Sequence, residues 1–348
     1  MITCENHLLH VDNGSLSFDV LLDNGADIAD IMLNGVKMSW DRSKKYLVNP
    51  DNVDLKKDGW DKGFYAAVAS LGPEVFGTPD ETCTAHGTAS YSKADLSTLR
   101  TAVGEQAISI EVTVLIKGYD REPKYKKRVY ITLENETNLI IRREVYENLT
   151  EERLPLDDGY HVQFSGEFAK AGGRYVLPVP DDQMLLRDSA PIEADKKAFP
   201  AYDQEYLPIR CYQYVPQKVF GLESVGIFAK NSIVAANKDC QTAEMIVDND
   251  RTHGAIVVRP LWAFPRTLLA KRNDDTAMYA IEPCKTRPNS LRQKAIDGEL
   301  MYIEPKEEVE SLIIFGFLSN HEEILRLEEL IERSACYEKK LKEWSIQN

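Results

Sequence analysis

Apolar and polar positions alternate along most of the chain. "LSFDVLL", "ISIEVTVLI" and "RVYITLE" place apolar residues at every second position, the period that lines one face of a β-strand. "KKRVYITLENETNLIIRREVYEN" reads as two long strands joined by a polar turn from Asn135 to Asn138. "ESVGIFAKNSIVAAN", "GAIVVRPLW", "AMYAIEP" and "SLIIFGFL" continue the pattern and predict further strands. Only the last segment changes period. Ile324, Leu327, Leu330 and Ile331 fall on one helical stripe, extended by Leu341 and Trp344. Asn320 is placed to cap this helix and Glu323 to close a capping box, so a helix is expected over about 320–345, packed on the outside of a sheet. The stretch from Pro178 to Pro208, rich in Asp and Pro, is the least regular, and is read as an excursion over a sheet rim. No repeat and no low-complexity linker divides the sequence. The pattern predicts one all-β domain over 1–348, built of two large antiparallel sheets packed face to face.

One strand poses a specific question. "GYHVQF" at residues 159–164 puts Tyr160, Val162 and Phe164 on one face, and His161 with Gln163 on the other. An imidazole beside a carboxamide means that the second face is either wet or lines a polar cavity.

Composition narrows the class. The chain has 348 residues, with 42 Lys and Arg against 56 Asp and Glu, a net charge of −14. That excess argues against a nucleic-acid or anionic-membrane partner. No apolar run approaches the length of a membrane helix. "MITCENHLLHVDNG" carries no basic and apolar leader, and the six cysteines include no C-x-x-C pair. Reduced thiols and a cytoplasmic location are therefore expected.

Several chemistries leave no trace. There is no phosphate-binding glycine loop, no dinucleotide fingerprint, no H-E-x-x-H and no G-x-S-x-G. The six histidines are His7, His10, His86, His161, His253 and His321, and none forms a close ligand pair. A metal site would have to be assembled from distant strands, and neither metal nor cofactor is expected. Three positions remain as candidates. They are His86 in "CTAHGTASYSKA", His161 in "GYHVQF" and Glu282 in "MYAIEPCKTRP". Singly, each has a plain structural reading as a turn histidine, a half-buried sheet histidine and a strand-end glutamate before a proline.

Together, and in this order, they resemble the aldose 1-epimerase, or galactose mutarotase-like, superfamily. "DNGADIADIMLNGVKMSWDRSKKYLVNP" is similar to its N-terminal module, and "GWDKGFYAAVASLGPEVFGTPDETCTAHGTASYSKA" to the segment ending in its His-Gly motif. "VYENLTEERLPLDDGYHVQF" resembles the run into its Y-H-x-N strand, "AMYAIEPCKTRPNS" its E-P-x-T strand and "LMYIEPKEEVESLIIFGF" its closing strands. The likeness spans nearly the whole chain and is nearest to a divergent branch. Departures occur at Gln163, where Asn is usual, and at Thr88 and Lys62, where Arg is common. They bear on sugar specificity, so galactose is not carried over.

The resemblance implies a β-supersandwich with a C-terminal helix, and an isomerase that interconverts the anomers of an aldose or modified monosaccharide. It implies Glu282 as base, His161 as acid, and His86, Lys62, Gln163 and Trp262 as substrate-binding residues. It implies no cofactor, a monosaccharide partner and a monomer or homodimer. Other sugar chemistry on the same scaffold, or a carbohydrate-binding module without catalysis, are the alternatives. A phosphorylated substrate would call for basic cleft residues, for which Lys62, Lys93, Arg174 and Arg266 are candidates.

Overall fold

The computed structural model describes residues 1–169, 172–187, 195–199, 207–229, 232–273 and 277–335. Cys336, Leu341, Trp344 and much of the Pro178–Pro208 stretch lie outside the described residues.

Two large sheets hold nearly all of the strands among the described residues. The first has eleven strands and contains Asp27–Leu33, Val68–Leu71, Gly159–Ser165, Ala277–Cys284, Arg266–Asn273 and Leu207–Tyr214 side by side in that order. The second has eight and runs Arg174–Val176, Gln241–Val247, Gly254–Pro260, Glu308–Leu318, Leu139–Asn148, Pro123–Glu134, Ala107–Lys117 and Ala94–Val103. Neighbouring strands pair antiparallel. The expected hairpin around Asn135 is present, with Leu133 opposite Ile140.

Alternation decides which side chains meet between the sheets. Tyr160, Val162 and Phe164 from one sheet join Ile110, Val129, Ile131 and Phe315 from the other in one apolar cluster. Each fully buried residue of this size contributes about 1.5–3 kcal/mol from area removed from water. Tyr279 and Ile281 point into the same cluster, which sends Met278, Ala280 and Glu282 to the open face of the eleven-stranded sheet.

The outer face of the eight-stranded sheet is covered by a helix at His321–Ala335, whose Ile324, Leu327, Leu330 and Ile331 are buried against Met245, Val247 and Ile256. Asn320 caps it by accepting from the backbone N–H groups of Glu322 and Glu323. Glu323 does not complete a capping box; its carboxylate accepts from the backbone of Ile227 instead. The segment "ESVGIFAKNSIVAAN" departs from the predicted strand. It forms short helices at Gly226–Ala229 and Ser232–Ala236. Its Val225, Ile227, Phe228 and Val234 are buried in one cluster with the C-terminal helix, and that packing overrides the local β preference. Among the described residues no helix is long and apolar enough to cross a membrane, and the five described cysteines are free thiols.

Candidate functional site

The site is set by strand register. Gly159 pairs with Cys284 and Val162 with Ile281, so His161 stands directly across from Glu282. Residues opposite one another in an antiparallel pair share a face with Cβ atoms roughly 5 Å apart. The side chains accordingly touch, with His161 Nε2 3.3 Å from Glu282 Oε1. Gln163 lies two residues along on the same face and donates from Nε2 to the Ala66 carbonyl at 3.1 Å. The polar face of "GYHVQF" therefore lines a cavity rather than bulk water.

That cavity has a volume of about 660 Å³. Its inner wall carries His161, Gln163, His86, Trp60, Phe64 and Met278. Trp60 and Phe64 stack at 4.2 Å between centroids, and their rings lie 6.3 Å and 5.2 Å from that of His161. Arg42 and Arg272 also face it. The Arg42 guanidinium lies over the Tyr46 ring and donates to Asp61, while that of Arg272 lies 5.3 Å from the Trp40 ring.

His86 arrives on a turn rather than a strand. It has φ +58° and is followed by Gly87 at φ +69°. The turn is clamped from both sides: the Gly72 N–H donates to the His86 carbonyl at 2.9 Å and the His86 N–H to that of Gly77 at 3.1 Å. Behind it, Glu74 accepts from the Thr88 hydroxyl at 2.7 Å and the Thr88 N–H at 3.1 Å. Burial raises the Glu74 carboxyl to about 7. The His86 ring meets Trp60 at 4.8 Å and Phe76 at 5.5 Å. A Cβ at Gly87 would sit 2.5 Å from the Gly72 carbonyl oxygen, so Gly87→Ala must distort the turn. The substitution is expected to lower stability by at least about 1 kcal/mol, read from the denaturant midpoint, and to weaken sugar binding by displacing His86.

Protonation follows from burial. Glu282, almost wholly removed from solvent, is pushed up to about 8 by desolvation, partly offset by the charge of Arg187. His161 is held well below its ordinary value by desolvation and then by His86, Arg272 and Arg42. His86 is lowered to about 4 by burial, with Lys294 and Arg187 adding to the shift. At neutral pH the His161–Glu282 pair therefore holds one proton, and His86 is neutral. Two atoms of the pair, His161 Nδ1 and Glu282 Oε2, are buried without a hydrogen-bond partner. Buried polar atoms are rarely left so. Among the described residues no three His, Cys, Asp or Glu side chains gather as a metal ion would require.

The structure brings His86, His161, Gln163 and Glu282 together and leaves two candidates elsewhere. Lys62 ends the short turn Trp60–Lys62 and faces solvent. The same turn directs Trp60 inward, because residues two apart on a tight helical turn point apart. Trp262 is 50% exposed and donates to Asn237 on the far side of its strand end. Sequence reasoning missed Trp60, Phe64, Arg42 and Arg272. The first two carried no periodic signal, because the short turn at Trp60–Lys62 ends before Phe64. Arg272 carried one in its even spacing from Arg266, Leu268 and Ala270 on a strand.

A family described as a domain of unknown function, DUF4432, matches residues 6–315. The chain belongs to it. No curated protein matches the sequence, but solved structures do. A candidate aldose 1-epimerase of Klebsiella pneumoniae is 16% identical with a TM-score of 0.76, covering 94% of this chain and 83% of that one. A galactose mutarotase-like protein of Clostridium acetobutylicum is 13% identical with a TM-score of 0.59, covering 92% and 98%. A galactose mutarotase related enzyme of Lactobacillus acidophilus is 14% identical with a TM-score of 0.55, covering 92% and 98%. This DUF4432 chain thus has the galactose mutarotase-like fold, as a divergent branch of it.

Proposed function

We propose that the protein interconverts the anomers of a sugar by acid–base ring opening in the cavity at His161 and Glu282. The observation that carries this reading is the buried cross-strand pair itself: a carboxyl and an imidazole in contact beside a cavity walled by aromatic rings. The names of the proteins that share its fold support it.

Mutarotation moves a proton from the anomeric hydroxyl to the ring oxygen and back. Glu282 as carboxylate takes the hydroxyl proton while His161 as imidazolium gives its own to the ring oxygen, and the C1–O5 bond breaks. The pair then consists of a carboxylic acid and a neutral imidazole. After rotation about C1–C2, Glu282 returns its proton to the aldehyde oxygen and His161 recovers one from the C5 hydroxyl as the ring closes. Neither the proton count nor the charge of the pair changes. The two states differ only in where one proton sits, and the 3.3 Å contact lets the pair enter the cycle in either state. His86, neutral and fixed by its turn, would bond a sugar hydroxyl, and Gln163 another. Trp60 and Phe64 would pack against the C–H face of the ring.

No step needs an electron sink or a Lewis acid. Exhaustive chelation is therefore expected to leave anomer exchange, followed by NMR, unchanged; a loss restored by one divalent ion would overturn the metal-free scheme. The reading as a whole is tested by polarimetry or NMR exchange across common aldoses, uronic acids and sulfonated sugars. Acceleration of at least one of them is expected. Binding without acceleration would favour a carbohydrate-binding role.

A further inference from the structure

The open face of the eleven-stranded sheet holds a second cavity of about 350 Å³. Register relates it to the first. On paired strands, Arg272 lies opposite Met278, Leu268 opposite Glu282 and Arg266 opposite Cys284. Arg272 and Met278 line the first cavity, whereas Arg266 and Cys284 line the second. The next strand repeats the arrangement, with Ile209 in the first and Gln213 in the second. Glu282 therefore stands between the two, and its Cα is roughly 7 Å along the strand from that of Cys284.

The chemistry of the second cavity is incomplete as it stands. Among the described residues no carboxylate or other partner engages the Arg266 side chain. Gln213 Oε1 is buried with no donor to satisfy it. By contrast, Arg287 at the cavity edge is paired with Glu299 at 3.0 Å. The other basic candidates are placed elsewhere: Lys93 pairs with Asp51, and Arg174 sits on the eight-stranded sheet, 3.9 Å from Glu332. An unpaired guanidinium asks for an oxyanion, and a buried carboxamide oxygen asks for a hydroxyl or N–H donor.

We propose that this cavity is a second binding subsite, which takes an oxyanion-bearing, hydroxylated part of the substrate, with Arg266 holding the oxyanion and Gln213 accepting from a hydroxyl. The proposal deepens the ring-opening reading and rests on it for the position of the reacting ring. An oxyanion on the reacting sugar itself and one on a second, acidic sugar unit present the same chemistry to Arg266, and the test separates them.

Binding is measured calorimetrically for glucose, glucuronate, glucose 6-phosphate, galacturonate and digalacturonate, with wild type and with Arg266→Gln, whose fold is checked by circular dichroism. At least one anionic probe should bind about tenfold or more tighter than glucose, the size expected of a charge-assisted hydrogen bond. Arg266→Gln should erase that preference and leave glucose affinity unchanged. Tighter binding of the monosaccharides places the oxyanion on the reacting ring; tighter binding of digalacturonate alone places it on a second unit. Anionic probes that bind no tighter than glucose, or a preference that survives Arg266→Gln, would overturn the subsite. The readout is affinity, so an absence of anomer exchange with the preference intact would count against the ring-opening reading only.

Discussion

Glu282→Gln is expected to lower anomer exchange at least about 10²-fold while the protein stays folded and still binds sugar. General acid or base catalysis by one positioned group is worth roughly 10²–10⁴, and Gln keeps the size and hydrogen bonding of Glu without its proton chemistry. His161→Asn should produce a loss of the same order. The double variant should be little worse than either single one, because groups that act as a unit lose their effect together. The pH profile adds a sign. Burial raises Glu282 to about 8 and depresses His161, so the working state with one shared proton lies between those two limits. The rate should fall above about pH 8, where the pair loses that proton, and again on the acid side, where it gains a second. Stability separates chemistry from misfolding. Folded Glu282 keeps a proton that the unfolded chain releases between pH 4.5 and about 8, so the carboxyl costs stability increasingly as pH rises through that window. Glu282→Gln should therefore be at least as stable as wild type at pH 8. Near-wild-type exchange in this variant would remove Glu282 from the mechanism.

Much of this site was legible in the sequence, and its limits have physical causes. Alternation around His161 put it on one face with Gln163, since a strand leaves only two options, and the resemblance joined Glu282 to it. Alternation could not reveal that His161 and Glu282 are direct partners, because the pairing of Gly159 with Cys284 is a long-range register that neither strand encodes alone. Lys62 and Trp60 show the opposite failure. The stretch "GWDKGF" drew attention to its cation, yet a single tight turn sends Lys62 into solvent and Trp60 into the cavity. Local backbone geometry on the scale of two residues is not readable from residue type. Arg266 was one of four basic candidates for a phosphorylated substrate, and nothing in the sequence set it apart from Lys62, Lys93 and Arg174. Its place beside Gln213 and Cys284, away from any carboxylate among the described residues, is a property of three strands brought together.

A larger loss of stability is expected from a part of the molecule that the hydrophobic pattern hides. Between the sheets, Glu144 accepts from Arg142 Nε at 2.9 Å and Nη2 at 2.6 Å, and lies 3.3 Å from the Lys127 ammonium. All three side chains are fully buried. The cations are held in turn by the Gly25 and Ala26 carbonyls and by Ser70, and Asp27 beside them accepts from the Ser90 hydroxyl. Such a cluster adds little over an apolar core, because desolvation opposes the attraction. Breaking it is another matter, since one buried charge removed strands the others. Glu144→Gln leaves two buried cations against a single remaining carboxyl, and should cost about 3–5 kcal/mol, read from the urea midpoint at pH 7. A second arm checks that the cost is electrostatic. The two cations hold the folded Glu144 carboxyl at about 2 against an ordinary 4.5. A depressed carboxylate contributes stability that is complete above its unfolded value and lost as pH falls through the folded one. Wild type should therefore lose about 3 kcal/mol from this group between pH 4.5 and 2, and Glu144→Gln should lack that component of the acid slope. Equal acid slopes in the two proteins would mean that the cluster is held by packing rather than by charge.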